Sequence, residues 1–186
     1  MDSQTLMLVG IGLVVLVLAL AAWVYTSQRR RVNLRERFGP EYERTVEAVG
    51  PARADSVLRE RTERVSRFNL RKLTGEQADA FAREWRRIQG HFVDNPEGAV
   101  GEADQLVSQV MTARGYPLED FDRRADDVSV DHPMVVENYR TARALALRRQ
   151  RGEAGTEEMR QAVVNYRALF DELLEVDTRG AQRRAS

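Results

Sequence analysis

Cysteine is absent from this chain of 186 residues, which excludes disulfide bonds, thiol catalysis and cysteine-based zinc sites. Histidine is scarce, with His91 and His132 as its two occurrences. Neither the Glu-x-x-His pair of metal sites in helical bundles nor His-Glu-x-x-His occurs. A glycine-rich phosphate loop and a nucleophile elbow are missing as well. We therefore expect no metal ion, no cofactor and no enzymatic activity.

Net charge is also absent, because 29 basic residues balance 29 acidic ones. Proteins that bind nucleic acid normally carry a basic excess or a recognisable binding motif, and this chain has neither. The sequence therefore predicts no nucleic-acid partner. Lysine occurs only as Lys72, so the basic residues are almost all arginines. That bias is typical of a GC-rich bacterial genome.

Charged side chains are missing from residues 6–26, which read LMLVGIGLVVLVLALAAWVYT. As a helix, about 21 residues extend roughly 31 Å, close to the hydrocarbon thickness of a bilayer. A buried core helix is disfavoured, because such helices rarely stay apolar on every face. Trp23 and Tyr25 would lie at the membrane–water boundary, where amphipathic aromatic rings are enriched. We predict a single transmembrane helix at 6–27.

A cleavable signal peptide is the alternative interpretation of this apolar run. Ala19-Leu20-Ala21 resembles a cleavage site, and its use would export the remaining helical domain. However, residues 1–5 contain no lysine or arginine. The run is also longer than the roughly 7–15 residues of an ordinary signal-peptide core. A retained anchor is therefore favoured.

Arginines just after the run predict its orientation. Before the run, Asp2 is the one charged side chain. Positive charge near one end of a span keeps that end in the cytoplasm, and it attracts anionic lipid. We expect the bacterial plasma membrane, with the N-terminus outside and the helical domain in the cytoplasm. The arginines on the inner flank are Arg29, Arg30, Arg31, Arg35 and Arg37.

Hydrophobic periodicity predicts an all-α fold for the rest of the chain. Residues 28–73 are expected to form a basic juxtamembrane segment and a charged helical stalk. Its thin apolar stripe would pack on the distal domain or pair with a second copy, so a homo-oligomer is possible. Residues 74–175 have apolar residues spaced by three and four, which predicts an antiparallel bundle of four or five helices. Residues 176–186 are expected to be a disordered tail.

Local signals predict where the helices of the bundle begin. Thr74 and Gln77 have the spacing of a capping box. Asn95 can cap the helix that follows it, and Thr156 can cap the last one. The segment Asp-His-Pro at 131–133 predicts a further helix start, with a cap followed by proline in the first turn.

Asp131 and His132 also permit a catalytic interpretation, with His132 as a base that the carboxylate orients. The helix-start interpretation is favoured, and an enzyme of unfamiliar type remains the alternative. The leading hypothesis is a membrane-anchored protein-interaction or scaffold module without catalysis. Tyr116 and Pro117 follow Gly115 in a loop, and we expect them to contact a protein partner.

Four blocks of the sequence are distinctive: LRERFGPEYERTVEAVG, FVDNPEGAVGEADQLVSQVMTARGYP, SVDHPMVVENYR and VVNYRALFDELL. In this order they resemble a family of bacterial single-pass membrane-anchored helical proteins from GC-rich soil organisms. The resemblance implies an apolar N-terminal segment and covers most of residues 34–174. It implies no activity, cofactor or catalytic residue. The chain departs from the family pattern near Lys72, where a proline is more usual.

Overall fold

The computed structural model describes residues 32–117 and 119–175, together with Leu16 and Leu18. These ranges contain helices and no β-strand, so the all-α prediction is confirmed. Residues 32–38, here called the N-terminal segment, are helical. Seven helices follow: α1 Pro40–Val49, α2 Pro51–Val65, α3 Gly75–His91, α4 Pro96–Arg114, α5 Phe121–Val128, α6 Val136–Gln150 and α7 Thr156–Leu173.

The predicted transmembrane helix at 6–27 lies outside the described residues, apart from Leu16 and Leu18. Those two residues are helical and exposed. In the part of the chain that the structure describes, no helix combines the length and the apolar character needed to cross a membrane. The predicted tail at 176–186 also lies outside the described residues.

Helices α3, α4, α6 and α7 enclose the main hydrophobic core, which confirms the predicted helical bundle. α7 packs against both α4 and α6, and α3 packs against α4. The rings of Trp85 and Phe170 stack with centroids 4.7 Å apart. Tyr139 meets Tyr166 edge-on at 6.0 Å. Such offset and edge contacts stabilise a core beyond the burial of the rings alone.

Most helix ends follow the local signals in the sequence. The Thr74 hydroxyl accepts a hydrogen bond from the Gln77 N–H at 3.2 Å, and the Gln77 side chain accepts from the Thr74 N–H at 3.0 Å. The predicted capping box is thus confirmed. Asn95 caps α4 as predicted, and α4 ends at Arg114, with Gly115 as its C-cap in a left-handed conformation at a φ of 97°.

Two predicted helix starts are wrong. α7 begins at Thr156 itself, so the cap position belongs to Gly155. The Gly155 N–H donates to the side chain of Glu158 at 2.9 Å, which replaces the expected threonine cap. α6 begins only at Val136, beyond the segment at 131–133, and no side chain caps it.

Replacing Thr74 with alanine is expected to lower the free energy of unfolding by about 1 kcal/mol, because the first turn of α3 loses its hydroxyl acceptor. Thr112 provides a matched control. Its exposed hydroxyl bonds back to the Ser108 carbonyl inside α4, an interaction that does not favour the helix. Thr112→Ala should therefore leave stability unchanged or raise it slightly. Urea denaturation of both variants measures the difference, and equal losses would contradict the capping role.

The predicted stalk contains a helical hairpin, α1 and α2, which has an apolar cluster of its own. Phe38 from the N-terminal segment and Leu58 from α2 are fully buried in this cluster. Val130, just after α5, lies in the same cluster. The apolar stripe of α2 therefore packs against the distal part of the chain. The division between stalk and bundle at residue 73 stays a prediction.

Candidate functional site

Four charged side chains meet where the hairpin joins the bundle. They are Glu41 from α1, Arg61 from α2, Asp126 from α5 and Arg140 from α6, and together they are called the ionic junction here. Glu41 accepts from Arg61 at 2.7 Å. Arg140 donates to both oxygens of the same carboxylate, at 2.5 and 3.0 Å. One carboxylate thus binds two guanidinium groups from different helices.

Asp126 binds the same two arginines from the other side. Its Oδ1 lies 2.8 Å from Arg61 Nη2 and 3.3 Å from Arg140 Nη2. Two positive and two negative groups therefore form a neutral set. The Glu41 side chain is 1% exposed, and each arginine side chain is 11% exposed. Charges this far from water are stable only when all of them are paired.

Burial governs the acidity of the carboxylates from α5. Burial raises the pKa of Asp126, while the charges of Arg61 and Arg140 oppose that rise. Burial likewise raises the pKa of Asp127, which accepts from Arg64 of α2 at 2.7 and 2.5 Å. This second pair lies between the same two helices as the Arg61–Asp126 contact. Helix α2 is thus fixed to α5 by two ion pairs.

The ionic junction holds elements together and is poorly suited to proton transfer. Both carboxylates are already bound by guanidinium groups from two helices. A general base needs room for a substrate proton within hydrogen-bond reach, and Glu41 is nearly inaccessible. The arrangement therefore acts as a joint between the hairpin and the bundle.

The sequence contains one signal of this joint. Arg61 interrupts the apolar stripe of α2, between the buried residues Leu58 and Val65. A charged residue at a core-facing position requires a buried partner of opposite charge. The identity of that partner was not predicted, because 31% of the residues are charged and many pairings are compatible with the sequence.

The arginines predicted to set the topology are only partly described. Arg29, Arg30 and Arg31 lie outside the described residues, as do Trp23 and Tyr25. Arg35 is exposed and pairs with Glu43 at 2.7 Å. The guanidinium carbon of Arg37 lies 5.7 Å from the centre of the Phe38 ring, within cation–π range.

Tyr116 and Pro117, the expected partner contacts, have different surroundings. The Tyr116 side chain belongs to the main core, with the residue 4% exposed. Its hydroxyl donates to Asp131 at 3.2 Å, and burial raises its pKa well above the ordinary value. Tyr116 is therefore a core residue and offers little surface to a partner. Pro117 is half-buried, and its contact role stays a prediction.

The Asp131–His132 pair does not form the arrangement that a catalytic base would need. Asp131 accepts from Tyr116, whereas Nδ1 of the buried His132 lies 3.4 Å from Glu172. The His132 N–H donates to the Val128 carbonyl at 2.8 Å, so this residue completes the end of α5. That bond explains why the segment at 131–133 does not start α6.

His91, the other histidine, lies at the end of α3. Its Nδ1 is 3.0 Å from Glu102 of α4. Across residues 32–117 and 119–175, no three or more histidine, aspartate or glutamate side chains are grouped as a metal ion would require. The expectation of no metal stays a prediction.

No family model, no curated protein and no solved structure matches this chain. The resemblance to membrane-anchored bacterial proteins therefore stays a prediction that depends on its four sequence blocks. Function has to be inferred from the residues of the chain itself.

Proposed function

We propose that a single N-terminal helix holds this protein at the bacterial plasma membrane, and that its helical body binds a protein partner on the cytoplasmic side without catalysis. The observation that carries the proposal is the uncharged run at 6–26 with Arg29, Arg30 and Arg31 behind it. The run contains no ionisable residue, which favours an anchor over an ion or proton path.

The short connection after the run supports a body held close to the lipid surface. The predicted span ends at residue 27, and the helical N-terminal segment is present from residue 32. A fully extended chain reaches at most about 3.6 Å per residue, so the five steps from residue 27 to residue 32 span roughly 18 Å at most. Leu34 and Phe38 then pack into the hairpin cluster. The body would therefore lie against the headgroups, within reach of partners at the membrane.

The surroundings of the acidic and histidine side chains support the absence of catalysis. His132 and Asp131 bond to different partners, and the carboxylates of the ionic junction are occupied by arginines. A catalytic group should lie in a pocket beside other reactive groups with a vacant position for substrate. An interaction or scaffold role requires none of these features.

Fusion of reporters to the C-terminus tests the topology. Alkaline phosphatase should be inactive there, because its disulfides do not form in the reducing cytoplasm, and β-galactosidase should be active. An active phosphatase would place the body outside. A shortened chain released from the membrane would instead indicate a cleaved signal peptide.

Arginine substitutions test whether the positive charge after the apolar run determines this topology. Changing Arg29, Arg30 and Arg31 together to glutamine should raise phosphatase activity, because the inner flank loses most of its positive charge. The matched control changes three exposed arginines of the body and should leave the reporters unchanged. Equal responses would contradict the proposed orientation. The control residues are Arg83, Arg86 and Arg123.

A protein partner is tested by affinity capture of the tagged full chain from detergent-solubilised membranes. Cross-linking before solubilisation preserves weak contacts at the membrane surface. The proposal expects the same partner in independent preparations and its loss when residues 1–31 are removed. Failure to recover any reproducible partner would contradict the interaction role.

A further inference from the structure

A small cavity of about 90 Å³ with mixed polar and apolar lining lies between α4, α6 and α7. Tyr166 of α7 lines it and is fully buried. Asp104 of α4 and Arg143 of α6 line the walls, with side chains 20% and 35% exposed. Glu97 and Arg149 are more exposed still and form the mouth. The cavity thus leads from solvent to a buried hydroxyl.

Polar atoms of the cavity lining lack a well-formed hydrogen bond among the described residues. The buried Tyr166 hydroxyl and Oδ1 of Asp104 make no hydrogen bond of good geometry, although the two side chains are close enough to interact with each other. Tyr139, which packs against Tyr166 outside the cavity lining, likewise has a hydroxyl without a well-formed bond, and Ser108 is a polar neighbour close enough to interact with it. Native proteins rarely leave buried polar atoms unpaired, and the exceptions often mark functional sites.

The protonation states of the two tyrosines and Asp104 decide which hydrogen-bond donors and acceptors a ligand would meet. Burial raises the pKa of Tyr166, and the nearby charge of Asp104 raises it further. Burial raises the pKa of Tyr139 to about 12. Both phenols are therefore neutral at physiological pH, and Tyr166, which lines the cavity, can donate to a ligand. Asp104 offers an acceptor beside them.

The charges around the cavity are only loosely paired with one another. Arg143 Nη1 lies 3.6 Å from Asp104, and Arg149 Nε lies 3.4 Å from Glu97. Charge-assisted N–H···O hydrogen bonds are normally about 2.7–2.9 Å long. Each of these four groups therefore retains bonding capacity for a ligand. Two of them are positive and two are negative.

We propose that this cavity binds a small zwitterion, such as a free α-amino acid with a short side chain. The ammonium group would donate to Oδ1 of Asp104, and the carboxylate would accept from Arg143 and the Tyr166 hydroxyl. Val100 and Met159 line the same cavity and suit a short aliphatic group. A simple cation would face two arginines, and a simple anion would face two carboxylates.

The volume of the cavity sets the size of the ligand. A single water needs about 10–15 Å³ measured in the same way, so the cavity has room for several waters or for a molecule of similar bulk. Glycine and alanine fall in this range, whereas large amino acids do not. The inference does not depend on the membrane topology proposed above.

Thermal unfolding of the full chain in detergent micelles tests the proposal, with glycine and L-alanine as probes. A ligand that binds only the folded state raises Tm saturably. Methylammonium and acetate, which carry one charge each, should bind at least about tenfold more weakly. No saturable rise with glycine or alanine would overturn the proposal. An equal rise with methylammonium would also overturn it, by showing a cation site.

Tyr166→Phe separates a binding role from a structural one. The variant should weaken glycine binding by at least about tenfold. Its Tm without ligand should change little, because the lost hydroxyl makes no hydrogen bond of good geometry and interacts only weakly with Asp104. Tyr116→Phe is the matched control, since its hydroxyl does have a partner in Asp131. That control should lower Tm and retain glycine binding, whereas unchanged binding in Tyr166→Phe would overturn the proposal.

Discussion

Glu41→Gln is expected to lower the free energy of unfolding by about 3 to 5 kcal/mol, because it leaves buried arginines without their shared counter-charge. Glutamine has nearly the same size and shape, so the loss reports charge and not packing. Arg61 and Arg140 would then share Asp126, which is 31% exposed on its side chain, and Arg140 would keep a 3.9 Å contact with the exposed Glu137. Urea denaturation of the full chain in detergent, followed by circular dichroism, measures the change.

Glu43→Gln is the matched control for this variant, two residues further along α1. Its carboxylate is 51% exposed and pairs with Arg35 at 2.7 Å. Surface ion pairs contribute about 0 to 1 kcal/mol, so little stability should be lost. Similar losses of unfolding free energy in the two variants would show that the buried ionic junction stabilises the fold no more than a surface ion pair does.

Gly115→Ala should lower the free energy of unfolding by about 2 to 5 kcal/mol, from a left-handed backbone and from overpacking together. The φ of Gly115 is 97°. An added Cβ would lie 3.1 Å from the Asn69 carbonyl carbon and closer still to its oxygen. The chain before α3 passes directly over this glycine, and the Arg71 N–H donates to the Arg114 carbonyl at 2.9 Å.

Gly152→Ala separates the two contributions. This glycine, between α6 and α7, also has a positive φ, of 75°, yet an added Cβ would have no atom within 4 Å. The expected loss is therefore about 1 to 2 kcal/mol, from backbone conformation alone. Urea denaturation of the two variants gives the difference, which measures the close approach at Asn69. Equal losses would contradict that explanation.

The features predicted correctly from the sequence are those that depend on neighbouring residues. The capping box of Thr74 and Gln77 spans three residues, and the apolar face that includes Trp85 and Ile88 repeats within one helix. Such signals are complete within a single turn or a single helix. They indicate where helices form and which face is buried, although they misplaced the starts of α6 and α7.

The ionic junction could not be predicted because its members are distant in the chain. Glu41 and Arg140 are 99 residues apart, so their meeting depends on how every intervening helix packs. Asp131 and His132 show the converse, that neighbours in sequence need not interact with each other. They are adjacent in sequence, yet the turn after α5 directs them to different partners.

The cavity lined by Tyr166 could not be predicted from the sequence for a related reason. Tyr139 and Tyr166 lie on apolar stripes, and the sequence identifies them correctly as core residues. Whether a buried phenol finds a hydrogen-bond partner depends on atoms supplied by other helices. Asp104, one residue after the buried Ala103, gives no local sign that it lies beside both rings.

The packing of the N-terminal segment has a mechanical consequence. Phe38 is fully buried, and Glu41 is clamped by arginines one turn further along the chain. A force applied at residue 32 is therefore resisted first by the packing of the Phe38 ring and then by the ion pairs of Glu41. The load reaches α2 and α6 directly, without passing through α3. Tension on the N-terminus would thus displace the hairpin and the bundle together, with little movement of one relative to the other.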